Sequence, residues 1–94
     1  MVRIECDSKA LQWFKSELGV NSGDAIRFFV KYGGESVVQP GFSLGISLEP
    51  PKNVVAAAEI DGITLFVRDE DAWYFDGKNL SITQVADDVE YMVV

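Results

Sequence analysis

Apolar residues near the start of the chain recur three or four positions apart, the spacing of one helix face. Asp7 and Ser8, which precede this stretch, are favoured at a helix N-cap, and Gly19 follows it as a common helix terminator. We therefore predict an amphipathic helix over 8–18, preceded by a short strand over 2–5. The apolar positions are Ala10, Leu11, Phe14 and Leu18.

From residue 25 onward the apolar residues alternate with other residues, as expected for strands. The clearest segment is 42–48, where small residues on the second face leave room for a backbone or a ligand to pack closely. Asp61-Gly62 is a signal for a two-residue type I′ hairpin. Residues 72–75 fit either one helical turn or a strand by propensity, and the acidic residues at 69–71 favour a helix N-terminus, so we predict a short helical turn near 70–75. The predicted strands are 25–32, 42–48, 54–60, 63–68, 80–83 and 89–93.

These elements define one compact, mainly β domain over residues 1–94, with a single long helix. The chain has 94 residues, of which 48% are hydrophobic and 24% charged, and these globular proportions exclude a disordered chain. The expected core is Leu11, Phe14, Leu18, Ile26, Phe28, Val30, Phe42, Leu44, Ile46, Leu65 and Leu80.

The composition excludes most catalytic machinery. Cys6 is the single cysteine and the chain has no histidine, so no intramolecular disulfide, Ser–His pair, Cys–His pair or histidine-ligated metal can form. Carboxylates alone could perform acid–base chemistry, but no motif places two of them in one cleft. We expect no catalytic residue, no metal, no cofactor and no enzymatic activity, with Cys6 as an inert buried residue.

The net charge of −7 lies wholly in residues 59–94, which hold nine acids against Arg68 and Lys78. Such a surface argues against nucleic acid and anionic membranes as partners. It either keeps the protein in solution or docks a basic protein partner. The longest apolar run has five residues and the N-terminus has no apolar signal segment, so we expect a cytoplasmic protein.

Two blocks carry a resemblance to a known family. The first is Ile26-Arg27-Phe28-Phe29-Val30-Lys31-Tyr32-Gly33-Gly34, and the second is Trp73-Tyr74-Phe75-Asp76-Gly77-Lys78-Asn79-Leu80. Across nearly the whole chain this order resembles the HesB/IscA-like domain, the fold of A-type iron–sulfur carriers, in its cysteine-poor YneR-type branch. The resemblance implies a mainly β HesB-like pseudo-barrel or two-sheet sandwich with one N-terminal amphipathic helix and a short second helical turn.

The resemblance also implies a role in iron–sulfur cluster biosynthesis, but the family's three cluster-binding cysteines are absent. The first of them aligns with Glu35, and the other two fall beyond Val94. We therefore expect a non-catalytic binding or accessory module whose partners are iron–sulfur assembly proteins or another basic protein. The alternative is a ligand- or partner-binding domain unrelated to iron–sulfur chemistry.

The candidate site is the loop that follows the second predicted strand. Paired glycines allow a ligand or a backbone to approach closely, and loops on a rigid β scaffold often carry sites. A simple glycine turn between two strands explains the same residues. The candidate residues are Gly33, Gly34 and Glu35, with Arg27 and Tyr32 as neighbours.

Overall fold

A computed structural model describes residues 2–32 and 42–94, with the backbone alone for Tyr32 and Phe42. The described part contains two mixed β-sheets, one α-helix and one 3-10 helix. Strand order is β3-β2-β5-β4 in the larger sheet and β1-β6-β7 in the smaller one. The elements are β1 (Ile4–Cys6), α1 (Ser8–Leu18), β2 (Ala25–Tyr32), β3 (Phe42–Leu48), β4 (Val54–Ile60), β5 (Ile63–Arg68), the 3-10 helix (Asp69–Tyr74), β6 (Leu80–Val85) and β7 (Asp88–Val93).

Both ends of helix α1 are capped as the sequence predicts. The side chain of Asp7 accepts a hydrogen bond from the backbone N–H of Ala10, which would otherwise lack a partner in the first turn. Gly19 follows the last turn with φ +68°, and its N–H donates to the carbonyl of Lys15 at 3.1 Å. The helix therefore begins and ends at the predicted residues.

A contact between the turn before β2 and the turn before β5 sets the register in which these two parallel strands pair. Asp61 and Gly62 both have positive φ, as a type I′ hairpin requires, and they join β4 to β5. The N–H of Gly23 donates to the carbonyl of Gly62 at 2.8 Å, so the turn before β2 lies on this hairpin. A Cβ at Gly62 would overlap the hydroxyl of Ser22, and this close approach requires glycine.

The core lies between the inner faces of the two sheets and α1, and its aromatic rings connect all three. Phe28 on β2 contacts the ring of Phe14 on α1, with centroids 6.1 Å apart, and the ring of Tyr91 on β7, at 5.9 Å. The buried apolar residues are Ile4, Ala10, Leu11, Phe14, Val20, Ile26, Phe28, Ala56, Ile63, Leu65, Phe66, Val67, Tyr74, Phe75, Leu80 and Ile82.

Six of the eleven predicted core residues are fully buried. Leu18, Val30, Leu44 and Ile46 are only half-buried, because they pack at the margin of the core near the end of α1 or on the two strands at one side of the sheet. The side chain of Phe42 lies outside the described residues. The confirmed members are Leu11, Phe14, Ile26, Phe28, Leu65 and Leu80.

The mainly β prediction is confirmed, with small corrections to the bounds. The first strand is Ile4–Cys6 rather than 2–5, and the last two strands are longer than predicted, reaching Val85 and beginning at Asp88. The short helical turn is a 3-10 helix at Asp69–Tyr74. Among the described residues, no helix is long and apolar enough to cross a membrane.

Phe28→Ala should lower the free energy of unfolding by about 3–5 kcal/mol, because it empties a fully buried aromatic site. Denaturant unfolding followed by tryptophan fluorescence measures this loss. Val54→Ala is the matched control on an exposed strand position and should cost less than about 1 kcal/mol. A similarly small loss for Phe28→Ala would contradict the core described above.

Candidate functional site

The outer face of the larger sheet, which points away from the core, is covered by a charged network. Arg27 on β2 is level with Phe66 on β5, so their side chains share this face. Phe66 is fully buried there, and the side chain of Arg27 is only 15% exposed. This strand pair is therefore covered on both faces, as the apolar residue Phe29 on the polar side of β2 predicts.

Arg27 is held by three carboxylates. Its Nη2 donates to Asp71 Oδ2 at 3.0 Å and to Glu70 Oε1 at 3.1 Å, and its Nη1 lies 3.5 Å from Glu49 Oε1. Its guanidinium carbon lies 5.5 Å from the centre of the Phe29 ring, within cation–π range. Arg27 Nε is buried and has no hydrogen-bond partner among the described residues.

Asp71 joins the 3-10 helix to the sheet through both carboxylate oxygens. While Oδ2 accepts from Arg27, Oδ1 accepts from the backbone N–H of Val30 at 3.2 Å. Val30 lies two residues beyond Phe28, the last β2 residue that pairs with β5. The pairing of β2 with β5 ends at Phe28, so the N–H of Val30 has no acceptor on β5. The side chain of Asp71 supplies that acceptor instead.

A second arginine extends the network across the same face. Arg68 Nη1 lies 3.6 Å from Glu49 Oε1, and Arg68 Nε lies 3.2 Å from Glu70 Oε1 without hydrogen-bond geometry. The Ser47 hydroxyl donates to Glu49 at 2.8 Å and lowers the pKa of that carboxyl, and the two arginines lower it further against the opposing effect of desolvation. Two cations and three carboxylates therefore share one surface.

The small residue in the middle of β3 makes room for an aromatic ring. A Cβ at Gly45 would lie 2.7 Å from the tip of the Phe29 ring, closer than carbon atoms can approach. The predicted space over β3 is thus filled by a side chain of the neighbouring strand. Gly45 is required for packing at this position.

The network is structural, because its ionised side chains are already paired with one another. Each described carboxylate in it contacts an arginine, so none is an uncommitted base or metal ligand. Within residues 2–32 and 42–94, no group of three or more acidic or cysteine side chains is arranged to hold a metal. Of the predicted site residues, Arg27 is committed to internal ion pairs, and Tyr32 is described by its backbone alone. Gly33, Gly34 and Glu35 lie outside the described residues.

Cys6 has the properties of an unreactive residue. Burial, with a smaller contribution from the charge of Asp7, raises the pKa of its thiol to about 11. At neutral pH the thiol is therefore almost wholly protonated, and the thiolate is the reactive form. On the same inner face, burial raises the pKa of Tyr91 to about 12.

The aromatic segment after β5 divides between core and surface. Tyr74 and Phe75 are buried in the core, while Trp73 is half exposed. Trp13 on α1 is partly buried, and its Nε1 donates to the carbonyl of Asp87 at 2.8 Å. This bond attaches the helix to the turn between β6 and β7.

The outer face of the smaller sheet, in contrast to the charged network, is open. Alternation along β1, β6 and β7 places Glu5, Val85, Glu90 and Met92 on this face, and all four are exposed. No described cation lies within 4 Å of either carboxylate, so their charges are not neutralised within the described part of the chain. We call this surface the acidic face.

The excess acids of residues 59–94 therefore have different roles. Glu70 and Asp71 are internal partners of Arg27, and Asp61 pairs with Lys15 on α1 at 3.4 Å. The carboxylates of Asp88 and Glu90 have no such partner among the described residues. Net charge in the sequence could not separate these two groups, because the separation depends on which strands become neighbours.

Comparison with known proteins places the chain among bacterial relatives of nearly the same length. It is 50% identical over 86 residues to a pyruvate dehydrogenase inhibitor of Bacillus subtilis, covering 92% of this chain and 90% of that protein. It is 38% identical over 84 residues to an uncharacterized protein of Staphylococcus saprophyticus, covering 86% of each. A further uncharacterized protein, from Staphylococcus haemolyticus, is 33% identical over 92 residues, or 95% of this chain and 93% of that one. No family model matches the chain.

These identities define a family of small bacterial proteins that align with this chain over nearly their full length. The chain belongs to the family of the Bacillus subtilis pyruvate dehydrogenase inhibitor.

The expected association with iron–sulfur cluster biosynthesis is wrong, because the relative that shares half of its residues is named for inhibition of pyruvate dehydrogenase. Assembly proteins of that pathway are likewise not the partners that this relative indicates. The alternative of a partner-binding domain unrelated to iron–sulfur chemistry agrees better with the relative. A resemblance in strand order and turn residues concerns architecture, whereas function depends on the residues of the site.

Asp71→Ala should lower the free energy of unfolding by about 2–3 kcal/mol, because it leaves the N–H of Val30 and the guanidinium of Arg27 without a principal partner. Asp69→Ala is the matched control in the same 3-10 helix, since Asp69 is exposed, and it should change stability by less than about 0.5 kcal/mol. Equal losses in urea unfolding would show that Asp71 does not anchor the helix.

Proposed function

We propose that this protein is a non-enzymatic inhibitor of pyruvate dehydrogenase that acts by binding the enzyme. The observation that carries the proposal is the 50% identity with the Bacillus subtilis pyruvate dehydrogenase inhibitor, over 92% of this chain and 90% of that protein. At this identity and coverage the two chains share a fold, and surfaces that bind a common partner can be retained.

The chemistry of the described residues suits inhibition by contact. Cys6 is partly buried with the pKa of its thiol raised to about 11, and the carboxylates around Arg27 are paired with arginines. Neither group is available for covalent modification of a partner or for acid–base catalysis. A rigid two-sheet scaffold that presents a fixed surface can instead occlude part of an enzyme without any reaction.

We infer that the acidic face contributes to this contact. Its carboxylates Glu5 and Glu90 have no cationic partner among the described residues, and beside them Val85 and Met92 are about half exposed. Apolar side chains within a charged surround are the usual composition of a protein-binding surface. The sign of the charge favours a basic surface on the enzyme and accelerates association through electrostatic steering.

We also propose that the architecture is that of HesB/IscA-like domains, without their iron–sulfur function. Support comes from the strand–helix–strand order at the N-terminus, the mainly β content and the single long helix. Superposition of an experimental structure on members of that family tests the proposal. A different strand order within the two sheets would contradict it.

The purified chain should inhibit pyruvate-dependent NADH formation by Bacillus subtilis pyruvate dehydrogenase, with the inhibitor of that organism as positive control. Because the mechanism is non-covalent, dilution should restore activity. A dehydrogenase complex specific for another 2-oxo acid and the heat-denatured chain are the negative controls. Failure to inhibit under conditions in which the positive control does so would contradict the proposed function.

Reversing two charges on the acidic face should locate the contact. Glu5→Lys/Glu90→Lys should raise the half-inhibitory concentration by about tenfold or more, and added salt should weaken wild-type inhibition. Glu59→Lys/Asp69→Lys makes the same change of charge at exposed positions elsewhere and should have a smaller effect.

Glu35→Ala tests the loop that the sequence suggested. Loss of inhibition in this variant, with wild-type inhibition by the Glu5→Lys/Glu90→Lys protein, would exclude the acidic face and favour the loop.

Equal effects of Glu5→Lys/Glu90→Lys and Glu59→Lys/Asp69→Lys on inhibition would show that the net charge of the protein matters rather than the acidic face.

A further inference from the structure

A cleft of about 360 Å³ opens at the end of the larger sheet where β2 begins and β3 ends. Tyr32 and Phe42 are level with each other at the other end of this strand pair. Leu48, which is level with Ile26, is about 20 Å from that end, so the cleft is well separated from the positions where the description of the chain stops and resumes. The cleft is lined by Gly23, Asp24, Ala25, Leu48, Glu49, Pro50 and Pro51.

One wall of the cleft belongs to the connection between β3 and β4, residues 49–53, which we call the crossing segment. These two strands are parallel and form opposite edges of the larger sheet, so the crossing segment passes over β2 and β5, a distance of about 14 Å. Five residues cover this distance, and the offset along the strands, only when the chain is extended. Pro50 and Pro51 favour that conformation because their rings fix φ.

Both ends of the crossing segment are held in place. At one end, Glu49 Oε1 lies 3.5 Å from Arg27 Nη1 and 3.6 Å from Arg68 Nη1. At the other end, the carbonyl of Asn53 accepts a hydrogen bond from the N–H of Asp69 at 2.9 Å. This wall therefore has a fixed shape, and the carboxylate of Glu49 is already paired with cations.

The opposite wall carries a carboxylate in a fixed position. The N–H of Asp24 donates to the carbonyl of Asn21, and its carbonyl accepts from the N–H of Thr64, both at 3.0 Å. Its Oδ2 accepts from the N–H of Asn21 at 2.8 Å. Asp24 is exposed, and no described cation lies within 4 Å of its carboxylate. The cleft thus has one oriented negative charge that the described residues do not offset.

The remaining surface of the cleft is apolar and open to solvent. Leu48 is 54% exposed, and Pro50 and Pro51 are exposed beside it. A long side chain with an apolar stem and a cationic head matches this combination, because its stem covers apolar surface while its head reaches a carboxylate. The volume lies near the lower end of the range for small-molecule sites, about 300–1,000 Å³, and suits a single side chain.

We propose that this cleft docks a partner protein by binding one of its lysine or arginine side chains. The charge of Asp24 favours a basic head group, and the apolar walls favour a protein side chain over a small hydrophilic cation. The net charge of −7 attracts a basic partner from a distance. The cleft belongs to the larger sheet and the acidic face to the smaller one, so the two surfaces are distinct.

Capped tripeptides test the cleft in the absence of any partner. Titration of Ala-Arg-Ala or Ala-Lys-Ala into the isotope-labelled chain should produce saturable shifts of the amide signals of Asp24, Ala25 and Leu48. The dissociation constant should be about 1–10 mM, as expected for contact through one side chain. Ala-norleucine-Ala keeps the apolar stem without the charge and should bind at least about fivefold more weakly. Ala-Glu-Ala should cause no shift at these residues.

Asp24→Asn removes the charge but keeps an oxygen that accepts from Asn21, and it should raise the dissociation constant for Ala-Arg-Ala by about fivefold or more. Asp87→Asn is the matched control, since it makes the same change at an exposed residue between β6 and β7, and it should leave binding unchanged. Leu48→Ser removes apolar surface at an exposed position and should weaken binding of both the arginine and the norleucine peptide. Circular dichroism of the three variants checks that they fold.

Equal affinity of the two aspartate variants for Ala-Arg-Ala would overturn the assignment, as would shifts confined to Glu5 and Glu90 of the acidic face. Tighter binding of putrescine than of either basic peptide would also overturn it and would assign the cleft to a small diamine. The proposal does not rest on the inhibitory function, because peptide binding to the chain alone decides it.

Discussion

Asp71 accepts hydrogen bonds from both Arg27 and the backbone N–H of Val30, and these two bonds determine how the pairing of β2 with β5 ends. At that point β5 has left the sheet, the N–H of Val30 needs an acceptor, and Arg27 needs a counter-charge. One carboxylate meets both needs and thereby fixes the 3-10 helix over the end of β2. Tyr74 and Phe75, which follow, then enter the core and close it. Without this contact, the connection between the two sheets would lack its main polar attachment.

The two outer faces of the molecule differ because their charges are used differently. On the larger sheet, Arg27 and Arg68 neutralise neighbouring carboxylates and cover Phe66, so this surface is part of the fold. On the smaller sheet, Glu5 and Glu90 are exposed to solvent and have no cationic partner among the described residues. A small protein has a modest core and a limited surface. Here one outer face uses its charges to stabilise the fold, and the other carries charges that the described part of the fold does not use.

Local sequence patterns were enough to predict most of the elements, because their signals lie within a few residues. Asp7 and Gly19 delimit α1, and Asp61-Gly62 forms the hairpin. Phe66 was missed as a buried residue for a different reason. It lies on the solvent side of an alternating strand and is buried there beside Arg27 of the neighbouring strand.

The candidate site was less accessible to sequence reasoning than the fold. Arg27 was singled out as a neighbour of the glycine loop, but its partners Glu49 and Asp71 lie 22 and 44 positions away in the sequence. Pairings at such separations follow from strand order, which no local pattern specifies. The functional assignment failed for a related reason, since a resemblance in strand order and turn residues does not determine which surface residues bind a partner.

The raised pKa of the partly buried Cys6 thiol has a practical consequence for spectroscopy. Its protonated state suppresses reaction with maleimides near neutral pH, whereas a cysteine introduced at an exposed position would ionise and react normally. A fluorophore or spin label can therefore be attached at one chosen surface site without first replacing the native cysteine. Each labelled sample then retains the native core, and distance or anisotropy measurements report on the unaltered protein.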